Sequence, residues 1–233
     1  MKPYFHTIDD VKVGMEMFKS FNIKQTIAFG LLYLIVVGCS SYTPYRYSFS
    51  LIKPQNGTIH NDVGGQAMSF EDSDVEFRFV PSSENIHVII KNKSEHEINL
   101  VRNKAEYIDC SGKSRRIHIG YDYVEESKDF AMNSAYVAPV KIQPSSEMTG
   151  YVWINIWPDF GIGSDRTSVT DAQINYLKEP FFPRYSFEGS VEDLKSSTFN
   201  LILPIDFGEY VCDYTFTFKI DDVIQVSPTE FRM

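Results

Sequence analysis

The sequence predicts an all-β domain, an antiparallel β-sandwich, and three observations carry that prediction. Apolar and polar residues alternate over many short runs. The 18 Phe and 14 Tyr tilt the composition toward residues that fill pleated surfaces. No long run of helical period accompanies them. The clearest run is Glu209 to Ile220, where Tyr210, Cys212, Tyr214, Phe216 and Phe218 share one parity and Asp213, Thr215, Thr217 and Lys219 take the other. Such a run buries one face and wets the other.

In chain order, Tyr45, Tyr47, Phe49 and Leu51 open the pattern, which breaks at the turn-rich stretch Asn56 to Gly65. Val75, Phe77 and Phe79 resume it. Ile86, Val88 and Ile90, then Ile98 and Leu100 beyond the polar turn Asn92-Lys93-Ser94-Glu95, read as a hairpin. Further strands are expected over Ala105 to Asp109, Arg115 to Ile119 across the Ser111-Gly112 turn, Tyr136 to Ile142, Tyr151 to Ile156 and Phe199 to Leu203. Short strands separated by Gly, Pro, Ser and Asn favour a sandwich over a barrel with crossover helices. Between Pro158 and Ser197 the pattern stops among Gly161, Gly163, Pro180, Pro183 and Gly189, so this stretch reads as a long decorated loop, with Asp171 to Lys178 long enough for two helical turns before Pro180 ends them.

The formal charge is −9, and the four lysines and three acids before Cys39 leave the remainder at −10. That surface repels phosphate backbones, which argues against a nucleic-acid partner, and it gives no help in holding anionic lipid headgroups. Hydrophobic content of 43% with 23% charged residues is that of a globular protein. Three cysteines are too few for a disulfide scaffold.

Ile27 to Gly38, IAFGLLYLIVVG, is twelve residues without a charge, preceded by Lys19 and Lys24 and followed by Cys39-Ser40-Ser41. A bilayer-spanning helix needs about 20 apolar residues, whereas a run of about 10–14 has the length of a signal-peptide core. The last four residues of this segment, Val36-Val37-Gly38-Cys39, resemble the lipobox of bacterial lipoproteins: an aliphatic residue, a tolerant position, a small residue and then Cys. The resemblance implies cleavage between Gly38 and Cys39, a diacylglycerol thioether on Cys39, and acylation of the freed amine. A start at Met17 gives an ordinary lipoprotein signal, so residues 1–16 read as an extension, artefactual or unstructured. Residues 17–38 are then the signal peptide, 39–44 a tether, 45–226 the β-sandwich domain and 227–233 a tail. Ser40 in place of Asp implies, by the same resemblance, forwarding to the outer membrane in a bacterium with two membranes.

From about Phe70 to Pro144 the chain resembles bacterial envelope lipoproteins with an immunoglobulin-like sandwich, on the strength of "IHVIIKNKSEHEINLV" followed by "AEYIDCSGKSRRI". The resemblance covers about a third of the chain and implies fold and location, not an activity.

Motifs for catalysis are absent: no nucleophile elbow, phosphate loop, zinc helix or dinucleotide turn occurs, and Gly161-Ile162-Gly163-Ser164 lacks the strand and helix that a phosphate loop needs. His60, His87, His96 and His118 form no ligand spacing, so no metal is expected. The only cofactor expected is the covalent lipid on Cys39. Glu125-Glu126 and Asp221-Asp222 read as solvated faces. Trp153 and Trp157, with Tyr151, are either core anchors of a central strand or a stacking platform for sugar or protein. A Cys110–Cys212 disulfide stays open: a turn cysteine and an inward strand cysteine do not obviously meet. The leading expectation is a non-enzymatic, lipid-anchored envelope protein that presents loops or a sheet edge to a protein partner. The alternatives are a hydrolase of envelope polymers built on His118, Asp109 and Glu106, and a carbohydrate-binding lipoprotein using Trp153 or Trp157.

Overall fold

Alternation becomes strands, and parity decides which side each strand buries. The computed structural model describes residues 43–53, 57–61, 66–132, 137–154 and 178–226. The extension, the signal segment with Gly38 and Cys39, Trp157, the Gly161–Ser164 turn, most of the decorated loop and the tail lie outside those residues. Among them run twelve strands: β1 (Tyr45–Lys53), β2 (Thr58–Asn61), β3 (Met68–Glu71), β4 (Val75–Pro81), β5 (Ile86–Asn92), β6 (Ile98–Leu100), β7 (Glu106–Ile108), β8 (Ser114–Gly120), β9 (Val140–Ile142), β10 (Glu147–Ile154), β11 (Thr198–Asp206) and β12 (Val211–Gln225). One helix, α1 (Tyr123–Met132), stands between β8 and β9.

Every ladder is antiparallel, and the strands follow the order β1, β12, β11, β7, β8, β10, β5, β4, β3, β2, with β6 beside β11 and β9 beside β6. The two ends of that order meet, so the sheet is nearly closed into a barrel. The all-β, antiparallel expectation holds. The ladder is continuous because β8 serves two neighbours: Ser114 to Arg116 pair with β7, and Ile117 to Gly120 pair with β10.

Closure rests on a side chain. β1 and β2 share no ladder; instead the Asn61 carboxamide accepts the Leu51 amide at 3.0 Å and donates to the Leu51 carbonyl at 3.2 Å. On its other edge β1 pairs with β12, with a slip at Ser48/Phe49 that leaves Asp221 as the extra residue, and the Ser50 hydroxyl donates to its carboxylate at 3.1 Å. Bulges of this kind bend a strand and help a sheet to curl.

The interior is a phenylalanine core. Phe77 and Phe79 of β4 meet Phe216 of β12 at 4.8 and 4.7 Å between ring centres, edge to face, and Phe79 meets Phe218 at 5.2 Å. All four are fully buried. Such pairs contribute roughly 0.5–1.5 kcal/mol each beyond the area that they bury. The end of the decorated loop joins this core: Phe181 and Phe182 are buried, Phe181 lies edge-on to Tyr107 at 4.6 Å, and the amides of both residues reach the Ser83 carbonyl.

Three expectations need correction. β5 and β6 are not a hairpin, because β5 pairs with β4 and β10 while β6 pairs with β11 and β9. The turn between them is a corner organised by Asn92, a buried residue whose Nδ2 donates to the carbonyls of His96 and Ile142 at 2.7 and 3.0 Å and whose Oδ1 accepts the Ser94 amide at 2.9 Å. The stretch read as turns between Asn56 and Gly65 contains β2, which pairs with β3. A helix also forms where none was expected: Asp122 caps α1 by accepting the amides of Val124 and Glu125 at 2.8 and 3.2 Å, and Glu125 and Glu126 occupy the first turn, where the helix dipole favours acids.

Candidate functional site

Along β10, Gly150, Val152 and Ile154 are buried against the core side, so Tyr151 and Trp153 point to the outer face. Register then places Trp153 opposite His118 of β8 and Tyr151 opposite His87 of β5. The His87 and Tyr151 rings lie 4.9 Å apart, and those of Tyr151 and Trp153 5.6 Å apart. The result is an aromatic row on the outside of the barrel wall.

α1 covers one end of the row. The Tyr123 ring stands edge-on to Trp153 at 5.5 Å and to His118 at 6.2 Å. Lys178 closes the other side, its Nζ 5.5 Å from the centre of the Tyr123 ring and 5.6 Å from that of Trp153, with Glu84 as its ion partner at 4.0 Å. Trp153 is only 4% exposed, and His118 and Ser127 are also buried.

The helix is held down by a half-buried ion pair. Arg102 Nη1 donates to Glu126 at 2.5 Å and to the Ile119 carbonyl at 3.1 Å, and its Nε reaches the Ala138 carbonyl at 2.9 Å. Glu126 lies directly over Gly120, where any β-carbon would overlap its carboxylate. Glycine is favoured there by the neighbour's position, not by its own backbone angle.

Two polar atoms of this cluster, Trp153 Nε1 and Ser127 Oγ, are buried with no hydrogen-bond partner among the described residues. Burial raises the Tyr123 phenol above its ordinary value, and Ser127 lies near enough to ease that rise without making a bond of good geometry. An indole N–H, a hydroxyl and an ammonium around flat apolar rings suit a ligand group that accepts hydrogen bonds from an apolar body. They do not form an acid–base couple.

Trp153 is therefore neither an anchor of the main core nor an exposed stacking platform. It fills a second, smaller cluster on the outer face. His118, Asp109 and Glu106 diverge. Asp109 organises the β7–β8 turn, accepting the amides of Ser111 and Lys113 at 2.9 and 3.0 Å and Arg115 Nε at 3.2 Å, with Gly112 in the left-handed region at φ 82°. Its partner Lys113 is five residues from His118, about 16 Å along an extended strand. Glu106 turns toward the same tip to take the Ser114 hydroxyl. The Cys110–Cys212 bridge does not form: both thiols are free, with Cys110 3.2 Å from the hydroxyl of Ser197 at one end of β11 and Cys212 opposite Ile205 near the other, about 26 Å along the strand. Among the described residues no group of three or more His, Cys, Asp or Glu side chains is placed to hold a metal ion.

Sequence reasoning missed Tyr123, Ser127 and Lys178. Asp122 followed three residues later by Glu125 is a helix-start signal, and it was the available clue to the first two.

No protein-family model matches the chain, and no curated protein matches it. Among solved structures it is similar to a protein from Archaeoglobus fulgidus at 8% identity, over 75% of this chain and 98% of that one, with a TM-score of 0.26. A likeness that weak says nothing about fold or function.

Proposed function

We propose that this chain is a lipid-anchored protein of the bacterial cell envelope, and that its β domain is a non-enzymatic module that holds another envelope protein. One observation carries the reading: the uncharged run Ile27 to Gly38, with Lys19 and Lys24 before it, ends on Cys39 in the lipobox-like sequence Val36-Val37-Gly38-Cys39. An acyl chain contributes about 0.8 kcal/mol per buried methylene, so the several chains of a lipoprotein cysteine fix it to the bilayer. In a bacterium with two membranes, Ser40 after the cysteine assigns it to the outer one. Among the described residues no helix is long and apolar enough to cross a membrane.

For the domain, the engagement of Asp109 and Glu106 in the β7–β8 turn supports binding over hydrolysis, and burial pushes the free Cys110 and Cys212 thiols upward, away from the thiolate form. The cover of Tyr123 and Lys178 over Trp153 favours a protein partner over a stacked sugar. We assign the partner to the outer face of β4, β5 and β10, where exposed Val80 and Tyr121 flank the His87–Tyr151 pair. In cross-section we read the domain as sandwich-like, its two walls being the β3–β4 and β11–β12 sides that meet through Phe77, Phe79, Phe216 and Phe218.

Metabolic labelling with a clickable palmitate analogue tests the anchor. Wild type takes up label and Cys39→Ala does not; a wild-type protein that takes up none overturns the reading. A photocrosslinking residue at Tyr121, compared with one at Asp213 on β12, tests the face in intact cells. A discrete protein adduct at 121 alone is expected, and equal or absent adducts at both positions reject this docking surface.

A further inference from the structure

The corner Tyr185-Ser186-Phe187 is attached to the start of the folded domain by main chain. The Ser186 amide donates to the Thr43 carbonyl at 3.0 Å, the Thr43 amide donates to the Ser186 hydroxyl at 3.2 Å, the Tyr45 amide donates to the Arg184 carbonyl at 2.8 Å, and Pro44 bridges Tyr185. Wherever Thr43 is held, this corner is held with it. Thr43 is four residues from Cys39, a reach of at most about 14 Å of extended chain.

We infer that this corner is a second membrane contact, seated among the lipid headgroups of the bilayer that carries Cys39; the inference rests on the lipid-anchor reading. Its chemistry fits that place. Phe187 is 71% exposed, and its ring stacks on Tyr185 at 5.6 Å. Tyr side chains favour the headgroup level, where one end is apolar and the other wet, and Phe187 adds an exposed apolar ring beside Tyr185. Exposed Ile224 of β12 lies on the same end of the barrel, opposite Arg46 in the ladder.

The corner is also stiff. Tyr47 donates its hydroxyl to the Pro183 carbonyl at 2.6 Å, Glu188 accepts the Arg184 amide at 2.5 Å and the Arg184 guanidinium at 2.7 Å, and the Glu188 amide closes onto the Tyr185 carbonyl at 2.9 Å. Glu188 and Glu84 neutralise Arg184, so the corner offers apolar contact without net positive charge. With the rest of the domain acidic, zwitterionic lipid is the surface it suits. Contact at this end leaves the Phe207–Tyr210 turn away from the membrane, since Tyr45 lies opposite Gln225 at one end of β12 and that turn leads into the other end at Val211.

The test uses full-length lipidated protein purified from membranes and reconstituted in phosphatidylcholine vesicles with and without brominated acyl chains. Phe187→Trp and Tyr210→Trp are compared with the parent, whose own two tryptophans give the background. The added tryptophan at 187 should be quenched by bromine at least about twofold more than the one at 210, the depth difference expected of a headgroup-level aromatic. Equal, weak quenching at both positions in protein whose mass shows lipid on Cys39 overturns this inference alone. Protein with no lipid on Cys39 overturns the anchor reading, and this one with it.

Discussion

Asn61 stands where a strand partner for Leu51 is missing: one carboxamide takes both the amide and the carbonyl of one residue, as a paired strand would. A seam joined by a side chain is open to mutation in a way that a ladder is not. Asn61→Ala removes both bonds at a partly wet site and should cost about 1–2 kcal/mol. Asn61→Asp keeps the acceptor but sets a carboxylate against the Leu51 carbonyl, and should cost at least as much. Urea unfolding measures both, and faster deuterium exchange at the Leu51 amide locates the opening at the seam.

Gly120 and Glu126 compete for one space. Gly120→Ala should cost roughly 1–3 kcal/mol, because the new methyl displaces the carboxylate that Arg102 holds. Glu126→Ala clears that space at the expense of the ion pair. The two changes are therefore non-additive: in the Glu126→Ala background the glycine substitution should be nearly silent. Additive losses in a double-mutant cycle would reject this account of how α1 docks.

Acid should weaken the turns before it reaches the core. Burial alone would raise Asp109, but Ser111, the Lys113 amide and Arg115 together bring its carboxyl below the ordinary value. Glu188 behaves alike, with Arg184 outweighing its burial. A carboxyl lowered in the folded state adds stability that is complete above its unfolded value, near 4, and is lost as the pH falls through the lower folded one. Asp109→Asn should thus be less stable than wild type by roughly 1 kcal/mol at pH 7, and the gap should narrow as the pH falls below about 4. Thermal unfolding across that range checks it.

The thiols should stay reduced in an oxidising compartment. The β domain is expected to have the same mass with and without reductant before alkylation, and Cys110 should react with iodoacetamide more slowly than an exposed cysteine, since burial raises its pKa. Failure to take up two carbamidomethyl groups without reductant would contradict the placement of Cys110 in the β7–β8 turn and Cys212 on β12.

How much of this was legible follows from what each strand faces. β1, β4, β5 and β12 have one wet side, so alternation announced them. β2 lies at the seam with only Ile59 half-buried, and it left no parity to read. Of the α1 residues whose burial is described, 123–127, the buried ones are Tyr123 and Ser127, and a line that includes a Ser did not announce a helix, although its cap residue was in plain view. Trp153 misleads because the end of β10 is buried on both faces, by the core on one side and by Tyr123 with Lys178 on the other. The β5–β6 corner has the same strand, turn, strand pattern as a hairpin, and only the four bonds of the Asn92 side chain, one of them to Ile142 fifty residues on, distinguish the two.

The first and last strands also finish side by side: the Val226 amide donates to the Pro44 carbonyl at 3.0 Å. Seen from any host polypeptide, the barrel is a loop whose two feet are one hydrogen bond apart. It can be spliced into a surface turn of another protein without spreading that turn, and it can be circularly permuted by a short linker from 226 to 44 with new ends cut at the exposed β7–β8 or β11–β12 tips.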